Sequence, residues 1–557
     1  MATDPSNANH FRKTILRLSV RAGLILFVVQ FVVIGSIMAV SGQNLQERVF
    51  FGILICCHGF LTFMGVIYFL GILRVLNFEN QTGATEPGFD TPLLKKYPPV
   101  AVVVCSYKEP IEVIRNTMIC FRNLTYPAKH LFLLDDTRYD RGDPEQMAAY
   151  RAEVDQTCKE IGVNVFRRAW HGAKAGMIND FLDYLGGRIR PDFVMTPFQE
   201  NPPKEPPEFL AVFDADMNPI SDFVEPLMAL LVADENLAFV QTPQYYTNVL
   251  ENRVAHGSAA QQLIFYEYIC ESKGLASAVP CCGTNVMFRI RALESVGGMD
   301  ESSVTEDFAT SLKLHVLGWR SLYLNRVSAF GMGPQDLAGY FKQQFRWALG
   351  SVGLLRLVVL NFFKNPRALS CETWLSYLSS VSYYCIGWIW FVLWLAPILF
   401  LFFGFPRELA APQILLAVFL PYFTCVNFAF MYSLGQRGYR FGNILTLMSI
   451  NAMCFPIFMK ASLQALLGVR GSFGITPKSG ADSLPLFMLW PQLTVITVSV
   501  LAVVWGANHL LYGTMGPAAF FMNAFFCVYN GGMVAMVIYF NNPTHPIRLW
   551  PRTVRAA

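Results

Sequence analysis

Three short apolar runs in the sequence, at 98–107, 130–136 and 208–216, end in polar or acidic residues. The side chains at or just after these ends are Tyr107, Glu109, Asp135, Asp136, Asp214 and Asp216. Runs of this kind that alternate with helical patterns predict parallel strands, and ligands bind at the carboxyl ends of such strands. One acidic strand end by itself is typical of a turn or a helix cap. Three of them predict a single crevice that binds a charged substrate.

The carboxylates of Asp214 and Asp216 are separated by one residue, which in an extended segment places both on the same side. Hard divalent cations such as Mg²⁺ and Mn²⁺ take oxygen ligands and often bridge to substrate phosphates. A DxD sequence alone occurs by chance in many chains. Its place after a predicted buried strand, with Asp135 and Asp136 after another, predicts a site for Mg²⁺ or Mn²⁺.

Two further segments offer a cation and a base. Lys174 lies among small residues in HGAKAGMIND (171–180), where it either approaches a phosphate closely or begins a solvated helix. Thr305, Glu306 and Asp307 precede an amphipathic pattern, a position that suits helix capping. A carboxylate in the same position can also take a proton from an attacking hydroxyl group.

The stretch YFKQQFRWALGS, at 340–351, places Gln343, Arg346 and Trp347 just ahead of an apolar run. An Arg-Trp pair in this position is either an anchor at a membrane interface or part of an active site. Taken alone, the stretch leaves both interpretations open.

The composition is that of a membrane protein. Of the 557 residues, 54% are hydrophobic and 15% are charged, against about 25% charged residues in a soluble protein. The net charge of +4 is too small to indicate a nucleic-acid partner. A membrane span needs roughly 20 apolar residues, and runs of at least about that length lie at 22–40, 49–73, 374–406, 409–436 and 483–547. The last run is long enough to cross twice, which predicts six spans.

The apolar segment 441–459 is short, contains Pro456 and is flanked by basic residues. These features favour an interfacial or re-entrant helix, with a true span as the alternative. Basic residues also cluster before the first predicted span, after the fourth and after the last. The positive-inside rule then predicts that both termini and the insert at 74–373 face the cytoplasm.

In chain order the polar residues form a recognisable set: Asp135-Asp136, Asp214-x-Asp216, Thr305-Glu306-Asp307 and Gln343-x-x-Arg346-Trp347. The set resembles the D, DxD, TED and QxxRW pattern of processive family 2 glycosyltransferases, the cellulose synthase superfamily. Intermediate motifs of that family resemble SYKEP (106–110), KAG (174–176), VQTP (240–243) and CCGT (281–284). FGITPK (473–478) is similar to the family's gating loop.

The resemblance implies an α/β domain of the GT-A type, with a mostly parallel sheet, inserted in an α-helical transmembrane channel of about six spans with interfacial helices. It implies an inverting enzyme of the bacterial cellulose or curdlan type in the plasma membrane. Such an enzyme polymerises glucose from UDP-glucose into a β-1,4 or β-1,3 glucan and moves the chain across the membrane. The implied cofactor is Mg²⁺ or Mn²⁺. The implied partners are UDP-glucose, the growing glucan, membrane lipid and auxiliary secretion subunits, without nucleic acid.

The expected organisation follows the order of the chain. It comprises 1–90 (cytoplasmic tail and two spans), 91–350 (catalytic domain), 351–373 (interfacial helix region), 374–440 (two spans), 441–482 (interfacial helix and gating loop) and 483–557 (two spans and a short cytoplasmic tail).

Carried over by position, the resemblance assigns roles on the donor side of the site. The implied donor-binding residues are Tyr107, Glu109, Asp135 or Asp136, Lys174, Asp214, Asp216 and Arg346. Among them, Asp214 and Asp216 hold the metal and the diphosphate. The loop residues Phe473, Thr476 and Lys478 close over the bound nucleotide.

On the acceptor side, the resemblance implies that Asp307 is the general base, with Glu306 beside it. The implied acceptor-binding residues are Cys282, Gly283, Gln343 and Trp347. An indole such as that of Trp347 suits the C–H face of a sugar.

Two departures from the family pattern bear on specificity. Thr137 replaces the glycine of DDG, and PCCGT (280–284) replaces FFCGS, which leaves the acceptor orientation and the linkage open. A synthase of mixed-linkage glucan, mannan or a hyaluronan-like polymer is one alternative, and a non-processive membrane glycosyltransferase is another. A transporter with a sensing domain predicts charged residues within the spans, and the predicted spans carry none.

Overall fold

The three apolar runs predicted to be strands are strands in the computed structural model, which describes residues 5–41, 44–82, 94–405, 412–469 and 482–543. In chain order the strands are β1 (Val100–Ser106), β2 (Lys129–Asp135), β3 (Asn164–Arg167), β4 (Val194–Thr196), β5 (Phe209–Asp214), β6 (Asn218–Pro219), β7 (Leu237–Gln241), β8 (Tyr245–Tyr246), β9 (Val286–Arg289), β10 (Arg320–Tyr323) and β11 (Ala329–Gly331). The predicted runs correspond to β1, β2 and β5.

Most of these strands form one eight-stranded sheet in the order β10-β7-β9-β5-β1-β2-β3-β4, and the rest form a small sheet in the order β6-β11-β8. Pairing is parallel from β5 through β1 and β2 to β3. Strand β9 is antiparallel to both β5 and β7, and β4 is antiparallel to β3. The sheet is therefore mixed, with the predicted parallel arrangement at its centre.

The register of the central strands aligns their carboxyl ends. Cys105 of β1 pairs with Asp214 of β5, and Ser106 pairs with Asp135 of β2. Both faces of β1 are covered, since its alternate residues lie in two separate apolar cores. A strand buried on both faces cannot shift its register without exposing apolar side chains. The prediction that the polar strand ends meet at one edge is confirmed.

Helices cover the large sheet and form the membrane region. In chain order the α-helices are α1 (Pro5–Ser41), α2 (Leu45–Thr82), α3 (Ile111–Arg122), α4 (Pro144–Ile161), α5 (Ala173–Leu185), α6 (Val224–Ala233), α7 (Arg253–Ile264), α8 (Glu271–Leu275), α9 (Ile290–Ser295), α10 (Glu306–Val316), α11 (Leu337–Gly353), α12 (Leu355–Lys364), α13 (Cys371–Ser382), α14 (Ile386–Phe403), α15 (Pro412–Gln436), α16 (Phe441–Met453), α17 (Phe455–Leu466), α18 (Trp490–Leu511) and α19 (Pro517–Phe540).

Seven helical segments of the described residues are long and apolar enough to cross a membrane, judged by length and composition. They are Phe11–Ser41, Leu45–Gln81, Leu337–Lys364, Cys371–Phe403, Ala417–Gln436, Leu486–Leu511 and Pro517–Phe540. Six of them correspond to the predicted spans, and the chain is a multi-pass membrane protein. The additional segment, Leu337–Lys364, combines the polar QxxRW stretch with an apolar second half, which is why sequence analysis assigned it to the domain and an interfacial region.

The segment around 441–459 forms two helices, α16 and α17, that are bent by 49° relative to each other. A broken span and a re-entrant loop both have this geometry. The helices continue to Leu466, further than the predicted boundary. An interfacial position for the pair stays a prediction.

Arg437, predicted as a basic membrane flank after α15, also binds the α/β domain. Its guanidinium lies 2.8 Å from Glu271, 3.2 Å from Glu79 and 3.5 Å from Glu267. Glu79 belongs to α2, whereas Glu267 and Glu271 belong to the domain. One arginine thus joins two membrane helices to the domain between them.

Candidate active site

The carboxyl ends of the central strands open into a cavity of about 2330 Å³ that continues among the membrane helices. The predicted site residues that line this cavity are Tyr107, Glu109, Asp136, Lys174, Asp214, Asp216, Cys282, Gly283, Glu306, Asp307, Gln343, Arg346 and Trp347. The fold therefore brings together nearly all of the described candidates. The predicted loop residues Phe473, Thr476 and Lys478 lie outside the described residues.

Lys174 and the DAD sequence line the polar part of the cavity, at the end of β5. Strand β5 ends at Asp214, and a turn closed by a 3.0 Å hydrogen bond from Met217 N to Asp214 O brings Asp216 back to the cavity. The predicted extended segment thus stops at Asp214. Lys174 Nζ donates to Asp214 Oδ1 and, over 2.7 Å, to Gly283 O.

The charge state of Lys174 follows from these contacts. Burial disfavours the ammonium, but Asp214, together with Cys105 and Glu306, outweighs burial and raises the pKa of Lys174 above its ordinary value. Lys174 is therefore a fixed cation, held beside the strand end by a carboxylate and a carbonyl oxygen. A cation in this place can stabilise negative charge that develops on a leaving group.

Glu306 and Asp307 begin α10 beside Lys174. Thr305 occupies the N-cap position but makes no side-chain capping hydrogen bond in the described residues. Asp307 Oδ1 accepts a hydrogen bond of 2.8 Å from Phe308 N. Burial raises the pKa of Asp307, and burial followed by repulsion from Asp307 raises that of Glu306. A carboxylate with a raised pKa is a more effective base near neutral pH.

Gly283 allows the carboxylate of Asp307 to sit against the backbone. A Cβ atom at Gly283 would lie 3.0 Å from Asp307 Oδ2, and the residue has a φ of 78°, which disfavours other side chains. The same residue presents its carbonyl oxygen to Lys174. Gly283 therefore contacts both the carboxylate of Asp307 and the ammonium of Lys174, in addition to lining the cavity.

Helix α11 presents the QxxRW residues to the cavity. Gln343, Arg346 and Trp347 are three and four residues apart, so they share one helical face, and all three line the cavity. Gln343 Oε1 is buried and has no hydrogen-bond partner among the described residues. A buried acceptor without a partner is costly, and a hydroxyl group of a bound substrate would satisfy it.

Gly350, which sequence analysis did not single out, lies one turn further along the same face of α11. A Cβ atom at this position would clash with Thr305 Cγ2. The glycine therefore sets how closely the QxxRW helix approaches the TED segment. The only sequence signal for this role is its spacing of four from Arg346 and three from Trp347, which keeps it on the cavity face.

Replacing Gly350 by alanine is expected to push α11 away from Thr305 and to lower the turnover rate by about 10- to 100-fold, because small displacements of catalytic groups are costly. Gly353→Ala in the same helix is the matched control, since a Cβ there meets nothing within 4 Å. Initial rates of sugar transfer by the two variants check the prediction. Equal rates would show that the close approach is not needed for activity.

The structure separates the two adjacent aspartates at the end of β2. Asp135 is buried, binds Arg167 at 2.7 Å and accepts a hydrogen bond of 2.6 Å from Tyr139. Asp136 lines the cavity, where burial raises its pKa to about 6 although Arg168, 2.9 Å away, opposes the shift. Asp136 is therefore the one placed to contact a ligand, and Asp135 holds the strand end in place.

The departures from the family pattern have structural explanations. Thr137 has no positive φ, so glycine is not required there, and its hydroxyl accepts a hydrogen bond of 3.0 Å from Lys108 N. Gln241 of the VQTP motif is fully buried and holds the PCCGT segment, accepting from Cys282 N (2.8 Å) and donating to Thr284 O (2.8 Å).

The metal prediction can be tested against the donor set. Among the described residues, no group of three or more His, Cys, Asp and Glu side chains is arranged to hold a metal ion. Asp214 and Asp216 nevertheless supply two carboxylates to one cavity. Mg²⁺ is commonly held by one or two carboxylates together with substrate phosphates and water. The pair therefore fits a cation that binds together with a diphosphate.

Comparison with known proteins finds glycosyltransferase sequence in this chain. The profile of glycosyl transferase family 2 matches residues 101–297, and that of glycosyl transferase family group 2 matches residues 209–435. The match to glycosyl transferase family 2 thus lies within the α/β domain. A mannosyltransferase from Pyrobaculum calidifontis, solved with GDP-mannose and Mn²⁺, has a TM-score of 0.44 and 16% identity over 73% of this chain and 99% of that chain.

Curated relatives are cellulose synthases. The catalytic subunit from Xanthomonas axonopodis is 30% identical over 332 residues (58% of this chain, 40% of that protein), and the one from Pseudomonas fluorescens is 24% identical over 474 residues (82% and 58%). Cellulose synthase 1 of Komagataeibacter xylinus is 27% identical over 439 residues (76% and 26%). The matches span less than two thirds of each relative's length. Residues 101–435 are therefore similar to family 2 glycosyltransferases, and the chain is similar to cellulose synthases.

Proposed function

We propose that this protein is a processive, inverting glycosyltransferase that polymerises glucose from UDP-glucose into a β-glucan and moves the chain across the plasma membrane. The observation that carries the proposal is the continuity of one cavity, from the charged side chains at the strand ends to the aromatic side chains of the membrane helices. The similarity to cellulose synthases supports glucose as the sugar. The basic residues at the predicted membrane flanks support cytoplasmic termini.

On the donor side, Lys174 and Arg346 face the diphosphate and stabilise the negative charge that builds up as UDP leaves. Asp136 binds the nucleotide, with Tyr107 and Glu109 at the end of β1 beside it. Mg²⁺ or Mn²⁺ held by the DAD carboxylates would add positive charge against the same diphosphate.

On the acceptor side, Asp307 accepts the proton of the acceptor hydroxyl group as its oxygen attacks the anomeric carbon of the donor sugar. The bond from that carbon to the diphosphate oxygen breaks, and UDP keeps the electron pair. One displacement inverts the anomeric configuration and needs one base. Trp347 supports the acceptor sugar from below, and Gln343 Oε1 accepts a hydrogen bond from one of its hydroxyl groups.

Beyond the acceptor side, the cavity lining suits a neutral sugar polymer. The lining residues of the membrane helices include Trp390, Trp394, Phe419, Tyr422, Asn427, Phe526, Tyr529 and Asn530. Aromatic rings pack against the C–H faces of sugars, and amides exchange hydrogen bonds with hydroxyl groups. This lining supports translocation of the product from the site in which it is made.

The test uses the full chain in membranes with radiolabelled UDP-glucose. We expect a polymer that linkage-specific glucanases degrade, and the sensitive enzyme identifies the linkage as β-1,4 or β-1,3. If a polymer formed only from another UDP-sugar, that sugar would replace glucose as the proposed donor. Products that gain a single sugar would contradict processive synthesis.

Removal of the divalent cation is expected to abolish synthesis. Asp214 and Asp216 would supply only two protein ligands to the metal, so excess EDTA should compete effectively. Synthesis is measured after EDTA treatment and again after addition of Mg²⁺, Mn²⁺ or Ca²⁺. Full polymer yield in excess EDTA would contradict the metal assignment.

A further inference from the structure

A second buried cation lines the cavity away from the donor site. Lys273, in the short helix α8, is only 8% exposed. Its ammonium donates a hydrogen bond of 2.5 Å to Ser380 Oγ of α13. Both residues line the cavity, as do Ser376 and Tyr383 of the same helical region. Lys273 therefore lies where the α/β domain meets the helices that lead into the membrane.

Lys273 differs from the largely buried Arg167, Arg168 and Lys174, which are paired with carboxylates, and from the buried Arg289, which donates to three backbone carbonyl oxygens. Arg167 binds Asp135 and Asp155, Arg168 binds Asp136 and Asp180, and Lys174 binds Asp214. Among the described residues, Lys273 forms no ion pair, and its one hydrogen-bond partner is a neutral hydroxyl group.

The position of Lys273 is fixed by its neighbours. A Cβ atom at Gly274 would lie 2.9 Å from Tyr323 Cβ and 3.0 Å from Tyr323 N, so α8 is pressed against β10. Lys273 O accepts a hydrogen bond of 3.0 Å from Ala278 N. The ammonium is thus held at the cavity wall by packing.

A buried ammonium with a single neutral partner is expensive to maintain. Burial lowers the pKa of Lys273 to about 8, so most molecules still carry the charge at neutral pH. An ammonium has three N–H donors, and Ser380 takes one. Two donors are available to a ligand in the cavity.

The surroundings favour a neutral polyol over an anion as that ligand. Arg74, which also lines the cavity and donates to Ser272 O next to Lys273 in the chain, is already paired with Glu372, so it does not join Lys273 in a multi-cation phosphate site. The hydroxyl groups of Ser376 and Tyr383 beside it suit hydrogen bonding to sugars. Cys282, on the predicted acceptor side, lies near Lys273.

We infer that Lys273 and Ser380 form a second saccharide subsite, which holds a sugar unit of the growing chain after it has left the acceptor position. Lys273 donates hydrogen bonds to hydroxyl or ring oxygens of that unit. The subsite makes binding of the chain depend on its length and keeps it engaged between additions. The inference rests on the proposed function, since it takes the growing glucan as the occupant of the cavity.

The test compares the full chain with Lys273→Met, Lys273→Arg and Ser380→Ala, and uses Lys342→Met as the matched control. Lys342 is exposed on α11 and does not line the cavity. Affinities for a disaccharide and a hexasaccharide of β-1,4 and of β-1,3 linkage are measured without donor. We expect the hexasaccharide to bind more tightly than the disaccharide. In Lys273→Met the ratio of the two affinities should fall by about tenfold. Lys273→Arg should retain part of it, and Lys342→Met all of it.

Two further measurements separate this role from a structural one. The affinity for UDP should be the same in all variants, whereas the polymer made by Lys273→Met should be shorter. Unchanged hexasaccharide binding by Lys273→Met would overturn the inference. The inference would also be overturned if Lys273→Met lost affinity only for phosphatidylglycerol vesicles, because Lys273 would then bind an anionic lipid. A wild-type chain that consumes no UDP-glucose would instead contradict the proposed function, because oligosaccharide binding is measured independently.

Discussion

Asp307→Asn is expected to reduce sugar transfer by about 10²- to 10⁴-fold, the usual effect of losing a general base. The amide keeps the shape of the side chain and can still accept the hydrogen bond from Phe308 N, but it cannot take up a proton. UDP binding should be unchanged, because the proposed mechanism places Asp307 against the acceptor rather than the nucleotide. Polymer synthesis and UDP affinity, measured on the same preparation, check both parts.

The matched control is Asp222→Asn, which removes a surface carboxylate paired with Arg326 outside the cavity and should leave the rate unchanged. Glu306→Gln is the informative comparison, since Glu306 shares the cavity with Asp307. Near-normal turnover of Asp307→Asn together with an inactive Glu306→Gln would transfer the role of base to Glu306.

Lys174→Met is expected to lower the rate by about 10²- to 10³-fold, the cost of removing one group that stabilises developing negative charge. Unlike the loss of Asp307, it should also weaken UDP binding, because the methionine removes the ion pair between Lys174 and Asp214 and one of the two proposed donors to the diphosphate. Titration of UDP and initial rates at saturating donor distinguish the two effects.

Lys159→Met is the control for Lys174, since it removes an exposed lysine near the end of α4. Its rate and UDP affinity should equal those of the unmodified chain. If Lys174→Met bound UDP normally, Lys174 would act on Asp214 and Gly283 alone, and Arg346 would be left to bind the diphosphate.

Local sequence patterns were sufficient to predict those site residues that lie at the carboxyl ends of strands. A strand that is buried on both faces has an apolar sequence and stops where polar residues begin, so the places of Asp136 and Asp214 follow from the chain itself. The same holds for the paired helices after 483, whose turn falls where glycine and proline interrupt the apolar run. Sequence periodicity also places Gln343, Arg346 and Trp347 on one face of a helix.

Contacts between distant segments could not be predicted in this way. Gly350 is an ordinary small residue until the fold brings it against Thr305. Arg437 has the sequence context of a membrane flank, and its ion pairs depend on how α15 packs beside the domain. Asp135 and Asp136 are neighbours of the same type, and only the side chains around them decide which one is paired internally and which faces the cavity.

The ion pairs of Arg437 impose an order on the biogenesis of the protein. Glu271 is fully buried, yet its partner is synthesised 166 residues later. Domains generally fold as they emerge from the ribosome, with the N-terminal part first, and a buried carboxylate without its counter-charge costs several kcal/mol. The sheet can therefore form early, but the domain can pack against helices α1 and α2 only after α15 has been inserted into the membrane. Translation that stops before residue 437 should leave a folded domain that is tethered to the membrane but not docked on it.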